Sequence, residues 1–284
     1  MLATSLGKYL SPTALGAAYA IAKMLALRLM DPEWAMQADF TMQFLAGVLI
    51  GFSLRPLLKN IYWFYPSALG VFGMLLLVLG PGEHLVELWV FRGALHEEIR
   101  DRLTVEVIAM SFMALVGPIL IPAPHSTVSG RIFRKRLLRD RNLRDLGALL
   151  LCGVAFAALT LAFREMFQES GASLGFWERI HGLLTTPPWA PEEKILILSL
   201  QGVFVALVLW PLLSLYLRSA VELTVVLGSL VFIVSDFAPA FANFNDVSPL
   251  LLTEQVFEGM LRSFLYVLLV VLLLRRTRPA PQVD

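Results

Sequence analysis

Long runs of apolar residues alternate along the chain with short segments that carry most of its charges. Eight of these runs have roughly 18 to 23 residues, enough as an α-helix to cross the roughly 30 Å hydrocarbon layer of a membrane. They lie at Thr13–Met30, Phe40–Leu57, Ile61–Leu79, Thr104–Ile121, Leu146–Phe163, Ile195–Leu217, Ala220–Asp236 and Glu254–Leu274. The pattern predicts an all-α protein, a polytopic membrane bundle of about eight transmembrane helices.

The overall composition supports this prediction. Apolar residues make up 57% of the chain and charged residues only 16%, compared with roughly 25% in soluble domains. The single cysteine, Cys152, lies in an apolar run and cannot form a disulfide within the chain. The four histidines lie between the predicted spans, and the chain contains no phosphate-binding glycine loop. We therefore expect no cofactor, no metal centre and no nucleic-acid partner.

Positive charge is concentrated between the fourth and fifth runs. The basic residues there are Arg131, Arg134, Lys135, Arg136, Arg139, Arg141 and Arg144. Basic segments of membrane proteins stay in the cytoplasm, and the alternate segments of this chain are acidic. The charge pattern thus predicts a bacterial inner-membrane protein with both termini in the cytoplasm. Apolar residues among the arginines suit a helix lying on anionic lipid, and the segment suits a cytoplasmic or membrane partner subunit equally well.

The second and sixth runs share a pattern of small and helix-bending residues. Gly47 and Pro56 of the second run match Gly202 and Pro211 of the sixth without a gap. The pattern indicates two halves of four spans, residues 1–140 and 141–284, that run in the same direction about an axis near the membrane normal. Chance similarity between two leucine-rich helices is the alternative. Since proline removes a helical hydrogen bond, we expect both helices to kink in these regions.

Four charged residues lie inside the predicted spans. They are Lys23, Glu106, Glu258 and Arg262. Ionisable groups in hydrocarbon are costly and mark functional sites. If the two halves share an axis, these four side chains converge at a similar depth and form a polar cluster. In the alternative, Glu258 neutralises Arg262 one turn away, while Lys23 and Glu106 extend to opposite membrane surfaces.

These features favour a transport-type or complex-forming membrane subunit, acting on a solute, an ion or a lipid-linked substrate. A membrane enzyme acting at the outer face on a lipid-linked substrate is one alternative, with His96, Glu97, Glu98 and Arg102 as its polar groups. A scaffold that holds a cytoplasmic partner through the basic segment is another. The chain contains no recognisable catalytic set, so no enzymatic activity is assigned.

The segment His96–Arg102 contains the pattern Glu-Glu-x-x-x-Arg. This pattern is similar to the first motif of the membrane-embedded proteases that include prenyl-protein endopeptidases. That family also needs two later histidines, and here only His125 and His181 follow, neither of them within a span. We therefore assign the chain to no family.

The predicted topology can be tested with reporter fusions. Reporters placed after Leu138 and at the C-terminus should give a cytoplasmic signal, whereas those near Gly171 or Asn245 should give an external one. A cytoplasmic signal at Gly171 would contradict the arrangement of eight spans.

Overall fold

The computed structural model describes residues 2–30, 32–60, 65–86, 97–121, 143–168, 189–215, 219–242 and 249–275. The helices are Leu2–Met30, Pro32–Gln37, Phe40–Asn60, Tyr65–Leu77, Glu97–Leu120, Leu143–Gln168, Pro191–Leu215, Ala220–Phe232, Ala238–Ala242 and Pro249–Leu274. Two π-helical turns occur at Val78–Gly82 and Ile233–Phe237, and the described residues form no β-strand.

Eight helical stretches in these ranges are long and apolar enough to cross a membrane, which confirms the predicted bundle. We number them span 1 to span 8 in chain order. They are Leu10–Met30, Phe40–Leu58, Leu69–Val86, Leu103–Leu120, Arg144–Phe163, Pro191–Leu213, Ala220–Ala242 and Val256–Leu274. The side of the bundle at which the odd-numbered spans end is called the acidic side, because the acidic segments of the sequence lie there in the predicted topology.

Two spans extend further toward the acidic side than the sequence pattern predicts. Span 3 continues beyond Leu79 to Val86, and span 7 continues beyond Asp236 to Ala242. In both cases the predicted end falls at a π-helical turn, Val78–Gly82 or Ile233–Phe237. A π turn accommodates an extra residue without ending the helix. Helix thus continues through Pro81, which has no N–H to donate.

The spans pack in a similar order in the two halves of the chain. Span 1 packs on spans 2 and 4, and span 3 packs on span 4. Span 5 likewise packs on spans 6 and 8, and span 7 packs on span 8. Contacts between the halves join span 2 to span 7 and span 3 to span 6, and the two π turns also touch. A continuous core of buried aliphatic residues contains side chains from all eight spans.

Glycines lie at the closest contacts between helices in both halves. A Cβ atom added to Gly47 of span 2 would lie 2.9 Å from Cα of Gly16 in span 1. A Cβ atom added to Gly202 of span 6 would lie 3.0 Å from Cα of Gly153 in span 5. Small residues let membrane helices approach closely without a hydrophobic driving force. Gly47 and Gly202 therefore allow direct contact between neighbouring backbones.

The prolines of the matched pattern lie within uninterrupted helices. Pro56 belongs to Phe40–Asn60 and Pro211 to Pro191–Leu215. The bend expected near each proline, and near the glycines Gly47 and Gly202, stays a prediction.

The glycine contact of spans 5 and 6 should tolerate no added methyl group. Gly202→Ala should destabilise the protein by roughly 1–3 kcal/mol, because its Cβ would overlap the span 5 backbone. The measurement is thermal unfolding in detergent. Gly147→Ala is the matched control, since nothing lies within 4 Å of a Cβ at this position. Equal stability of the two variants would contradict the assigned contact.

Candidate functional site

Lys23 lies buried in span 1 and is held by two oxygen-bearing side chains. Its ammonium group donates hydrogen bonds to Oε1 of Glu106 in span 4 and, at 3.2 Å, to the Tyr19 hydroxyl. The Tyr19 hydroxyl in turn donates to Oε2 of Glu106 at 3.1 Å. The side chain of Lys23 is 1% exposed and that of Glu106 is 18% exposed. The three groups form a closed ring of hydrogen bonds in which the ammonium and the carboxylate neutralise each other.

This ring follows from helix geometry. Tyr19 and Lys23 are four residues apart and therefore lie on one face of span 1. Span 4 packs along span 1, and Val105 packs with Ala26 and Leu27 in a small core cluster next to the ring. The pair thus lies between packed helices, with Lys23 almost fully buried and Glu106 partly exposed.

A second group of charges surrounds Arg262 of span 8. Nη2 of Arg262 donates to Oδ1 of Asp236 in span 7 at 2.7 Å, and to Oε1 of Glu83 in span 3 at 3.0 Å. The Ser263 hydroxyl donates to Oδ2 of Asp236 at 3.3 Å. The side chains of Arg262, Glu83 and Asp236 are 11%, 6% and 12% exposed. We call Arg262, Glu83, Asp236 and Ser263 the arginine cluster; it joins three spans.

The two π turns place both carboxylates of the arginine cluster. Asp236 belongs to the turn Ile233–Phe237, and Glu83 directly follows the turn Val78–Gly82. A π turn shifts the face on which the following residues lie, and such turns often occur at functional sites. Asp236 also needs a glycine opposite. A Cβ at Gly259 of span 8 would lie 2.5 Å from Cγ of Asp236.

The arginine cluster contains unequal numbers of positive and negative groups. One guanidinium faces two carboxylates, so the fully ionised set carries one excess negative charge. Glu258 lies one helical turn before Arg262, is half-buried and interacts with neighbouring groups. A buried group of charges is stable only if the charges are balanced and hydrogen-bonded.

The structure brings some of the predicted intramembrane charges together. Lys23 and Glu106 pair with each other and do not extend to opposite surfaces. Arg262 contacts Glu83 and Asp236, which the apolar pattern predicts to lie in a loop and at the end of a span. Apolar residues beyond each acid in the sequence could have shown that the helix continues past it. A single cluster containing Lys23, Glu106, Glu258 and Arg262 stays a prediction.

Several buried polar atoms inside the spans have no hydrogen-bond partner in the part of the chain that the structure describes. They are Oε1 of Gln43, Nε of Arg55, Oγ1 of Thr160, Oε1 of Gln201 and Oγ of Ser235. Nearly all buried polar atoms in proteins have a partner, either in the protein or in water. A buried polar atom of this kind needs a partner supplied by water or by a neighbouring group.

Two predicted surfaces fall largely outside the described residues. Of the basic residues between spans 4 and 5, the structure describes only Arg144, which is exposed near the start of span 5. His96 and the side chains of Glu97, Glu98 and Arg102 also lie outside the described part. Within that part, no three His, Cys, Asp or Glu side chains are grouped closely enough to hold a metal ion.

In the described part of the chain, eight helices of spanning length and two ion-paired groups inside the bundle indicate an integral membrane protein. No protein family, curated protein or solved structure matches the chain.

The Lys23–Glu106 pair should behave as a buried ion pair. Glu106→Gln alone should destabilise the protein by about 3–5 kcal/mol, because it leaves the ammonium without a counter-charge. The double change with Lys23→Met should recover most of this loss in thermal unfolding in detergent. Arg100→Gln is the control, since the Arg100 side chain is 64% exposed and its pairing with Asp101 should contribute at most about 1 kcal/mol. A double variant less stable than either single variant would contradict this assignment.

Proposed function

We propose that the chain is a transport-type protein of a bacterial inner membrane, whose two four-span halves move against each other around a polar centre. The observation that carries the proposal is the ion pair between Arg262 and Glu83. Glu83 belongs to the first half of the chain and Arg262 to the second. We call this the cross-half pair.

Three features support two related halves. Corresponding spans have corresponding neighbours, as spans 1 and 5 illustrate. The contact between Gly16 and Gly47 has a counterpart between Gly153 and Gly202. The π turns begin at Val78 and Ile233, 155 residues apart, the same separation as between Gly47 and Gly202. A parallel duplication accounts for all three.

Ionisable groups at the cross-half contact favour movement over a purely structural role. A buried ion pair contributes little net stability, because desolvation offsets the attraction between the charges. Well-packed apolar residues would hold two static halves together at least as well. Charged residues inside membrane bundles instead mark pathways for ions and solutes. The unpaired oxygens of Gln201 and Ser235 fit such a pathway, since each needs a partner from water or a solute.

Two polar contacts between the halves lie toward the acidic side, whereas the packing of span 2 on span 7 and of span 3 on span 6 joins the halves elsewhere. Besides the cross-half pair, the Gln43 amide of span 2 donates to the carbonyl oxygen of Ala242 in span 7 at 3.0 Å. While these contacts persist, the two halves are held together on that side, and separating the halves there opens the acidic side. Pro56 and Pro211 lie toward the opposite ends of spans 2 and 6. Bending near these prolines would open the opposite side of the bundle. Rocking of two related halves around a central site is a general way to transport a solute.

The same proposal places both termini and the basic segment in the cytoplasm. The basic residues Arg131 to Arg144 then contact anionic lipid headgroups and leave the acidic side facing outward. The transported species is a solute, an ion or a lipid-linked molecule.

Accessibility of introduced cysteines tests the proposed movement. In a Cys152→Ala background, Gln43→Cys should react slowly with a membrane-impermeant maleimide added from the acidic side. Adding Glu83→Gln should raise this rate severalfold, because it weakens the attraction that holds the halves together.

The matched control is Phe204→Cys, at a side chain that is 57% exposed on the apolar surface of span 6. It should stay unreactive in both backgrounds because lipid excludes the reagent. Equal and unchanged labelling of Gln43→Cys and Phe204→Cys would indicate a dry, static bundle and would contradict the proposal.

A further inference from the structure

We propose that a hydroxyl group, from a water molecule or from a small uncharged solute, binds between the side chains of Lys23 in span 1 and Gln43 in span 2. This inference rests on the proposed function and names the class of solute that the polar centre holds. Two observations carry it: these side chains lie on facing helices, and each has one hydrogen-bonding atom without a partner in the described residues.

Lys23 and Gln43 lie at the same level of spans 1 and 2. A Cβ atom added to Gly47 of span 2 would lie 2.8 Å from Cβ of Tyr19 in span 1. Further toward the acidic side, span 1 packs on the short helix that precedes span 2. Between these two contacts lie Lys23, one turn after Tyr19, and Gln43, one turn before Gly47. Because residues four apart share a helix face, both side chains start from the faces at which the two spans meet.

The ammonium group of Lys23 has one N–H that meets no acceptor in the described residues. An ammonium carries three donors. Two of them go to Oε1 of Glu106 and to the Tyr19 hydroxyl. The Lys23 side chain is 1% exposed, so bulk water does not reach the third. A buried donor of this kind needs an acceptor close by.

Gln43 provides a complementary acceptor atom. Its Nε2 donates to the carbonyl oxygen of Ala242 in span 7 at 3.0 Å, which fixes the orientation of the amide. Oε1, at the other end of the amide, is buried and accepts no hydrogen bond from the described residues. Nζ of Lys23 and Oε1 of Gln43 make no direct hydrogen bond. A hydroxyl group bridges such a pair, because it accepts from one atom and donates to the other.

The charges beside this position favour an uncharged ligand. Lys23 and Glu106 carry opposite charges and are paired with each other. An added ion would leave a net charge next to the pair, in surroundings that solvate it poorly. A water molecule or an alcohol adds no charge and still satisfies both atoms.

Glu106 marks the route by which such a molecule enters. Its side chain is 18% exposed, although Ala109 and Met110 on the same face of span 4 are 0% and 1% exposed. The side chains exposed to lipid, such as Ile108 and Phe112, lie on the other face. The opening at Glu106 is therefore between helices. It lies toward the acidic side, where span 4 begins.

A hydroxyl bound here links the charged ring of the first half to the second half. It donates to Oε1 of Gln43 while Nε2 of the same amide donates to span 7. When the site is occupied, the amide is held at both ends and the contact between the halves on the acidic side is stabilised. An uncharged, hydroxyl-bearing solute is thus the class of substrate that this polar centre suits, and water is its smallest member.

A double-mutant cycle tests for the bridge. Gln43→Leu removes the acceptor, and Lys23→Met combined with Glu106→Gln removes the donor together with its counter-charge. The measurement is thermal unfolding of the full chain in detergent. Gln43→Leu should lower the unfolding temperature by several degrees in the wild type. In the Lys23→Met, Glu106→Gln background the loss should be at most about half as large, because the bound hydroxyl has already lost its other partner.

Gln201→Leu is the matched control. Gln201 of span 6 is also buried, and its Oε1 has no partner in the described part of the chain. Span 6 packs on spans 3, 5 and 8, whereas span 1 packs on spans 2 and 4. Gln201→Leu should therefore lower the unfolding temperature equally in both backgrounds. The same equality for Gln43→Leu would overturn the inference.

Two measurements that need only the wild type and Gln43→Leu identify the source of the hydroxyl. Glycerol is the solute probe. Polyols stabilise folded proteins in general, so a bound solute is recognised by a saturable additional rise in unfolding temperature that Gln43→Leu lacks. Bound water is recognised by an infrared O–H stretching band that shifts in water labelled with heavy oxygen and is absent from Gln43→Leu. If Gln43→Leu does not fold, Gln43→Met replaces it. The absence of both signals would overturn the inference.

The two proposals can fail separately. A bound hydroxyl without any effect of Glu83→Gln on the labelling of Gln43→Cys leaves the site in place and removes the movement of the halves. Changed labelling without coupling between Lys23 and Gln43 keeps the moving halves and removes the hydroxyl site.

Discussion

The cost of placing charge in hydrocarbon is the constraint on which the rest of this structure depends. Eight spans give this chain ample apolar surface, and none of that surface requires a lysine or an arginine inside it. In the residues that the structure describes, the buried cations are nevertheless matched by carboxylates from other spans, Lys23 by span 4 and Arg262 by spans 3 and 7. Once these pairs exist, they fix which helices neighbour one another and at what depth, because an unmatched partner would be destabilising.

Close packing of the helices is the second requirement of this arrangement. Charges reach one another across helices only where the helices approach closely, and glycine permits that approach. Gly259 leaves the space that Asp236 occupies beside Arg262. The glycine contacts of spans 1 and 2 and of spans 5 and 6 join each pair along its backbone.

Much of the fold follows from the sequence because span length is a strong and local signal. The runs of apolar residues predict all eight spans. The burial of Lys23 and Arg262 follows from their positions within those runs. The partners were harder to predict. Glu83 and Asp236 lie at π turns, and a rule based on proline and glycine ends a helix there. Which of several acids meets Arg262 depends on packing between distant spans, which a single sequence does not encode locally.

The π turn at Val78–Gly82 makes the arginine cluster depend on the number of residues as well as on their identity. Refolding this turn as α-helix without removing a residue would rotate everything after it by about 100°. Glu83 would then leave Arg262 and face another side of the bundle, although no charged residue had changed. A chain one residue shorter in this segment would keep Glu83 beside Arg262 only with an α-helical turn in place of the π turn.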